Sequence, residues 1–150
     1  MTDNITFLEE KNFLSKSECE YLINFYKKNI NSTFQHRDTY PLLLNHDHIT
    51  YKILTKCETI NKNIILDEQQ IVKWPVGSYM LPHVDPISDC FASLVYLNDD
   101  YKGGETHFKD KKIVPERGKL IIFSNSLLEH WVSPIGKKDR YTLALWFRHN

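Results

Sequence analysis

The sequence predicts a mainly β protein, an antiparallel sandwich or jelly roll supported by N-terminal helices. Two observations carry this prediction. Hydrophobic residues recur at helical spacing in the first third of the chain, and from about Asp67 onward they gather in short runs rich in β-branched and aromatic residues. Each run is bounded by Gly, Pro, Asn or Asp, which is typical of strands joined by turns.

The N-terminal third is predicted to contain two helices. The first begins with an S-x-x-E capping box at Ser15–Glu18, in which both side chains satisfy free backbone N–H groups. Its buried stripe would be Cys19, Leu22, Tyr26 and Ile30. The second helix would bury Ile53, Cys57, Ile60 and Ile64. Residues 31–48 between them are predicted to form a long polar loop.

The rest of the chain is predicted to form the β core. The predicted strands are Gln70–Trp74, Phe91–Leu97, Lys119–Phe123 and Tyr141–Arg148. A chain of 150 residues fits one domain, 1–150, and can fold on its own core. Within it, helical support would cover about residues 1–66 and the β core about residues 67–148.

Composition excludes several classes of partner. The 19 basic and 19 acidic side chains balance, which argues against binding to nucleic acid or to an acidic membrane surface. No stretch approaches the roughly 20 apolar residues of a membrane span. The cysteines, Cys19, Cys57 and Cys90, are odd in number and lack C-x-x-C spacing, so we expect free thiols in a reducing compartment. With no signal-peptide pattern at the N-terminus, the sequence predicts a cytoplasmic protein.

Two H-x-D triplets are candidates for metal binding. His36-Arg37-Asp38 lies in the predicted loop and is interpreted as a solvated pair. His83-Val84-Asp85 ends a short extended segment, where residues i and i+2 point to the same face. The third ligand of a 2-His-1-carboxylate triad, which leaves positions open on Fe(II), would be His130, just beyond a predicted strand.

Arg140 is the candidate for anion binding. It opens the last predicted strand and would face inward, on the same side as Thr142, Ala144 and Trp146. A fixed guanidinium there could grip a carboxylate through two parallel hydrogen bonds. His107, by contrast, is predicted to point away from the site.

Segments of the β region resemble a known family. They are WPVGSYMLPHVD, FASLVYLNDDYKGGETHF, VPERGKLIIF and HWVSPIGKKDRYTLALWF. In this order they resemble the prolyl 4-hydroxylase branch of the Fe(II)- and 2-oxoglutarate-dependent dioxygenases, over about residues 71–148. The resemblance implies a double-stranded β-helix (jelly roll, cupin-like) core packed on about two helices. It also implies iron ligands and co-substrate contacts: His83, Asp85 and His130 on iron, Arg140 on the far carboxylate of 2-oxoglutarate, Tyr96 on the same co-substrate, and Thr106 and Trp146 in the pocket wall.

Some positions depart from the family pattern. Trp74 and Met80 stand where the family often has tyrosines, and Ala144 stands where it often has a threonine. Tyr79 shares strand parity with His83, so we expect Tyr79 to face the pocket and partly replace the missing tyrosine, with Met80 facing away. These departures concern the prime substrate more than iron or 2-oxoglutarate.

The resemblance implies an oxygenase that uses Fe(II), 2-oxoglutarate and O₂, with ascorbate considered as an additional reductant. Oxidative decarboxylation to succinate and CO₂ would be coupled to hydroxylation of an unactivated C–H bond. The expected prime substrate is a prolyl residue in a peptide or protein; the alternatives are a free amino acid or other small molecule, and a non-catalytic binding module on the same fold. A halogenase would lack Asp85, and a nucleic-acid demethylase would be more basic. Loops near residues 31–48, 86–90 and 124–129 are expected to select the substrate.

Overall fold

The computed structural model describes residues 5–150. The α-helices are α1 (Lys16–Lys28) and α2 (His48–Ile60), and a short 3₁₀ turn covers Ile30–Ser32. The strands are β1 (Phe7–Glu10), β2 (Tyr40–Leu43), β3 (Ile64–Trp74), β4 (Met80–His83), β5 (Asp89–Tyr96), β6 (Lys102–Gly103), β7 (Thr106–Phe108), β8 (Lys111–Ile113), β9 (Leu120–Phe123), β10 (His130–Val132), β11 (Ile135–Gly136) and β12 (Arg140–His149). Within these residues no helix is long and apolar enough to cross a membrane.

The strands form a jelly roll. A six-stranded sheet has the order β1-β9-β5-β12-β3-β2, and a four-stranded sheet has the order β4-β10-β7-β8. Every pairing is antiparallel, and the chain crosses from one sheet to the other between β3, β4 and β5 and again between β9, β10 and β12. These sheets face each other, and the predicted fold class is confirmed.

Both helices pack on the outer face of the larger sheet. Side chains of α1 and α2, such as Leu22 and Ile53, share one buried cluster with Leu143, Leu145 and other residues of the sheet. Alternation along β12 then turns Arg140 and the residues that share its parity toward the smaller sheet. The larger sheet is therefore covered on one face by helices, and its other face forms the floor of a cavity.

The helix starts follow local capping rules. The Ser15 hydroxyl accepts a hydrogen bond from the Glu18 N–H at 3.1 Å, and the Glu18 carboxylate accepts one from the Ser15 N–H at 2.9 Å, which confirms the predicted capping box. Asp47 caps α2 in the same way, accepting from the N–H groups of Ile49 and Thr50 at 2.9 Å each. The His46-Asp47-His48 segment, interpreted as a polar loop, therefore leads into a helix.

Both helices end earlier than predicted. Ile30 lies beyond α1 because Asn29 closes that helix, its side-chain amide donating to the Phe25 carbonyl at 2.8 Å. Ile64 does not extend the stripe of α2 but begins β3, where it pairs with His149 of β12. A β-branched pair such as Ile64-Ile65 suits a strand as well as a helix, so spacing alone did not separate the two structures.

The N-terminal third also contributes strands, which the sequence analysis did not predict. β1 pairs with β9, and β2, inside the predicted loop 31–48, pairs with β3. Strands of four residues are too short to show a clear alternation. The larger sheet therefore gains both of its edges from the region expected to be helical support.

Candidate active site

The predicted triad comes together at the end of two paired strands. His83 ends β4, His130 begins β10, and the two residues are direct partners across the ladder. Ligand atoms of His83, Asp85 and His130 all lie within 4.8 Å of one another. The Nε2 atoms of His83 and His130 lie 3.5 and 3.7 Å from the Asp85 carboxylate oxygens. These separations are somewhat longer than the roughly 3 Å between adjacent donors on one metal ion, and two imidazoles with one carboxylate are a donor set that suits Fe(II).

Backbone carbonyls orient both imidazole rings. The Nδ1 atom of His83 lies 2.8 Å from the Leu81 oxygen, and that of His130 lies 2.8 Å from the Leu128 oxygen. A carbonyl can only accept a hydrogen bond, so each Nδ1 carries the proton. In the neutral form of each ring, Nε2 is then a lone-pair donor that points into the site, as metal binding requires.

Asn125 holds the carboxylate of the triad. Its side chain is fully buried and donates to Asp85 Oδ2 at 2.8 Å and to Asp89 Oδ2 at 3.0 Å, while its backbone carbonyl accepts from the Asp85 N–H at 2.9 Å. Sequence reasoning missed this residue. Its one signal is its place two residues after the apolar strand β9, which a solvated loop residue would share.

The protonation states suit a metal site. Burial acts to raise the pKa of Asp85, but hydrogen bonds from His83 and Asn125 hold this pKa below its usual value. The hydrogen bond to Asp85 raises the pKa of His83, whereas burial lowers the pKa of His130. The carboxylate therefore stays ionised and His130 stays neutral to lower pH than usual, whereas His83 keeps its second proton to higher pH than usual and must lose that proton to bind metal.

The triad opens into a cavity of about 380 Å³ between the two sheets. Residues of the smaller sheet, including His83, Thr106 and His130, form one wall. The opposite wall includes Arg140 and Trp146 of β12. Thr106 and Trp146 thus lie where the resemblance placed them.

Arg140 is a buried cation with no counter-ion among residues 5–150. It is 1% exposed, and its hydrogen-bond partners are the Gly104 carbonyl at 3.0 Å and the Thr106 hydroxyl at 3.3 Å, both uncharged. Its Nη1 atom has no partner among residues 5–150, and the Trp74 ring lies 4.7 Å from its central carbon. An unpaired buried charge is costly, so this arrangement favours an anionic ligand.

Tyr96 and Thr106 connect this anion site to the triad. The Tyr96 hydroxyl lies 2.6 Å from the Thr106 hydroxyl, so Tyr96 meets the cavity through Thr106. Thr106 pairs with Val132, two residues from His130 on β10. Two strand residues span about 7 Å. The terminal carbons of an extended five-carbon diacid are about 5 Å apart, which suits a ligand held by Arg140 at one end and by a metal at the other.

The expected orientation of Tyr79 and Met80 is wrong. Tyr79 is 49% exposed and lies outside the cavity, whereas Met80 lines it. The cause is a β-bulge: Val132 pairs with Met80 and His130 with His83, so two steps along β10 correspond to three along β4. The additional residue reverses the alternation, and Tyr79 does not replace the missing tyrosine.

The remaining histidines are distributed as follows. His107 stacks on Trp131 at 5.3 Å and does not line the cavity, in agreement with its predicted orientation. His36 and Asp38 are exposed, as expected of a solvated pair, but His36 and the intervening Arg37 line the cavity, which was not expected. The loop between α1 and β2 therefore reaches the site.

Comparison with known proteins identifies the family. The model of the 2OG-Fe(II) oxygenase superfamily matches residues 69–148, so the chain belongs to that superfamily. The match begins in β3 and covers the triad and Arg140.

Individual relatives include prolyl hydroxylases. Human prolyl 3-hydroxylase 2 is 35% identical over 65 residues, a segment that covers 38% of this chain and 9% of that protein. A viral collagen prolyl hydroxylase from Paramecium bursaria Chlorella virus 1, solved with 2-oxoglutarate, aligns with a TM-score of 0.82 at 22% identity over 96% of both chains. A prolyl hydroxylase from Trichoplax adhaerens, solved with a hypoxia-inducible-factor peptide, aligns with a TM-score of 0.76 at 19% identity over 95% of this chain and 83% of that one. These solved structures share the fold of the chain.

Proposed function

We propose that this protein is an Fe(II)- and 2-oxoglutarate-dependent oxygenase that hydroxylates a prolyl residue in a peptide or protein. The observation that carries the proposal is one cavity with the His83, Asp85 and His130 donors on one wall and the unpaired Arg140 guanidinium on the other. The prolyl substrate is supported by the likeness to the viral and Trichoplax prolyl hydroxylases, the second of which was solved with a peptide.

Each group has a defined task in this proposal. His83, Asp85 and His130 hold the iron, and Asn125 keeps the Asp85 carboxylate in place. Arg140 and Thr106 hold the distal carboxylate of 2-oxoglutarate. Fe(II), 2-oxoglutarate and O₂ together supply the oxidation, in which the co-substrate is converted to succinate and CO₂ and one oxygen atom enters a C–H bond of the substrate.

The cavity lining separates this chemistry from bulk water. Apolar side chains, including Val72, Leu94, Phe123 and Val132, face the space between the triad and Arg140. In such surroundings the hydrogen bonds of Arg140 to a carboxylate are stronger than in water.

The test is a turnover assay with Fe(II), 2-oxoglutarate and ascorbate. Proline-containing peptides should gain 16 Da in step with succinate formation, and the same peptides with alanine in place of proline should not. The His130→Ala variant is the control for metal dependence, and His83→Ala or Asp85→Ala should be equally inactive because the triad has no spare ligand. Free L-proline alone gaining 16 Da would favour the small-molecule alternative. No succinate under any condition would refute an oxygenase.

We also propose that the protein works in a reducing compartment. Cys19, Cys57 and Cys90 are free thiols, and burial raises the pKa of Cys19 to about 11 and that of Cys57 to about 12. Such buried thiols are unreactive and need no disulfide to stabilise the fold. Turnover is therefore expected to be unchanged by dithiothreitol, and inactivation by the reductant would contradict this proposal.

A further inference from the structure

A tight hairpin stands at the mouth of the cavity. The backbone groups of His36 and Thr39 exchange hydrogen bonds of 2.9 and 3.0 Å, which leaves Arg37 and Asp38 as the central residues of a two-residue turn. Phe34, His36, Arg37 and Thr39 all line the cavity. The hairpin therefore contributes exposed side chains to the cavity that holds the triad.

Arg37 occupies a backbone conformation that arginine disfavours. Its φ is +55°, at the turn position where hairpins of this kind favour glycine. Side chains brace the turn: the Gln35 amide donates to the Arg37 carbonyl at 3.1 Å, and the Thr39 hydroxyl donates to the His36 carbonyl at 2.8 Å. Strained residues that are held in place by their surroundings are common at ligand sites. An arginine at a position that favours glycine therefore indicates a role for the arginine side chain.

The Arg37 side chain offers an unused positive charge next to the triad. It is exposed and forms no ion pair with any carboxylate of residues 5–150, Asp38 included. It lines the same cavity as His83 and Asp85. The other arginine of the cavity, Arg140, is buried and placed for the co-substrate. Arg37 is thus available to the prime substrate.

We infer that Arg37 binds a carboxylate of the prime substrate, carried next to the residue that is hydroxylated; the inference rests on the proposed function. A guanidinium fits a carboxylate through paired hydrogen bonds, and the braced turn holds it ready. The cavity has one acidic side chain besides Asp85, namely Glu68, which pairs with Trp146 across the sheet. Tyr40, which begins β2 directly after the hairpin, pairs with Lys73, five residues further along β3 than Glu68. Glu68 therefore repels an acidic group from its own part of the cavity lining, and Arg37, on the hairpin that leads into β2, attracts one.

Charge reversal tests this inference, with a control that the chain itself provides. Lys137 is also a cation with a positive φ, +75°, and it lies outside this cavity. Hydroxylation and anaerobic binding with Mn(II) and 2-oxoglutarate are compared for peptides with Asp, Asn or Lys beside proline. We expect the wild type and Lys137→Glu to favour the Asp peptide over the Lys peptide by about fivefold or more, as for an ion pair at a partly solvated site. Arg37→Glu should reverse the order, and Arg37→Gly, which suits the turn, should abolish the preference without loss of folding.

The source of the carboxylate is resolved by paired substrates. Peptides ending in a free or an amidated C-terminus, and L-proline against prolinamide, separate an α-carboxylate from an acidic side chain; a preference that Arg37→Glu removes supports the inference in either case. If hydroxylation persists and the wild type and Arg37→Glu prefer the peptides in the same order, the inference about Arg37 is overturned. If no proline compound is hydroxylated by any variant, the proposed function fails instead, and the binding order still decides the role of Arg37.

Discussion

Replacing Arg140 with methionine removes the positive charge from the co-substrate site while keeping most of the side-chain volume. In the wild type the guanidinium has one nitrogen, Nη1, without a partner among residues 5–150, and it is 1% exposed. Hydrogen bonds to charged groups contribute about 1.5–3 kcal/mol each. Loss of one such contact should therefore weaken 2-oxoglutarate binding by about 10- to 150-fold.

The effect can be measured by thermal unfolding with Mn(II) in place of iron. At a 2-oxoglutarate concentration of about 100 times the wild-type Kd, the ligand stabilises the protein by about 2.7 kcal/mol. For a chain of this size that corresponds to a rise in Tm of about 5–11 °C. If Arg140→Met raises the Kd about 100-fold, the same concentration adds only about 0.4 kcal/mol, or about 1–2 °C.

The unliganded variant provides the internal control. Exchanging an unpaired buried charge for an apolar side chain of similar volume is often neutral or stabilising, so the Tm without ligand should not fall. The shift induced by Mn(II) alone should be retained, and Arg140→Lys should be intermediate because lysine keeps the charge but not the planar fork. An undiminished shift with 2-oxoglutarate in Arg140→Met would refute the assignment of the anion site.

Three further predictions concern the triad and its strand. Asn125→Ala should weaken Mn(II) affinity by about 10- to 100-fold with little change in fold, since it removes the donor that holds Asp85, and titration calorimetry would measure this. The raised pKa of His83 means that its protonated form stabilises the apoprotein below about pH 6.5, and this contribution is lost as pH rises through the folded-state pKa. Metal binding needs neutral His83, so the stabilisation by Mn(II) should grow over the same pH interval. If the stability of the apoprotein and the stabilisation by Mn(II) changed in the same direction with pH, the pairing of His83 with Asp85 would be contradicted. Tyr79→Phe should leave 2-oxoglutarate affinity unchanged, because Tyr79 lies outside the cavity. Met80→Ala should lower the free energy of unfolding by about 1–2 kcal/mol. A denaturant titration in which Tyr79→Phe destabilises the protein more than Met80→Ala does would argue against the bulge.

Long, continuous patterns predicted the part of the fold that surrounds the site. The predicted runs Phe91–Leu97 and Tyr141–Arg148 became β5 and β12, which pair with each other in the middle of the larger sheet. Their alternation placed Arg140 and Trp146 on the inner face. A central strand pairs with a neighbour on each side, so a shift of one residue would turn its apolar side chains to the wrong face of the sheet in both pairings. The register of such a strand therefore follows closely from its sequence.

Short edge segments were not predictable in the same way. β1 and β2 owe their extended form to the strands that they flank, and four residues hold too little periodicity to show it. The turn at Arg37 has no glycine to indicate it; the positive φ of Arg37 is accompanied by hydrogen bonds from Gln35 to the Arg37 carbonyl and from Thr39 to the His36 carbonyl. Tertiary contacts decide the structure of these segments, and those contacts cannot be inferred from a single sequence.

The same distinction explains why the metal ligands were predicted and their neighbours were not. His83 and Asp85 are two residues apart, and that spacing keeps them on one face whatever happens earlier in the strand. Tyr79 and Met80 lie on the other side of the bulge, so any parity counted backward from His83 is inverted there. Bulges are common beside active sites because they re-aim a side chain without altering the rest of the ladder. Here the bulge turns a flexible, apolar Met80 into the cavity and the Tyr79 hydroxyl out to solvent. A hydrogen bond to the substrate therefore does not come from Tyr79, and the hairpin that carries His36 and Arg37 is one of the polar elements of the cavity that can supply it.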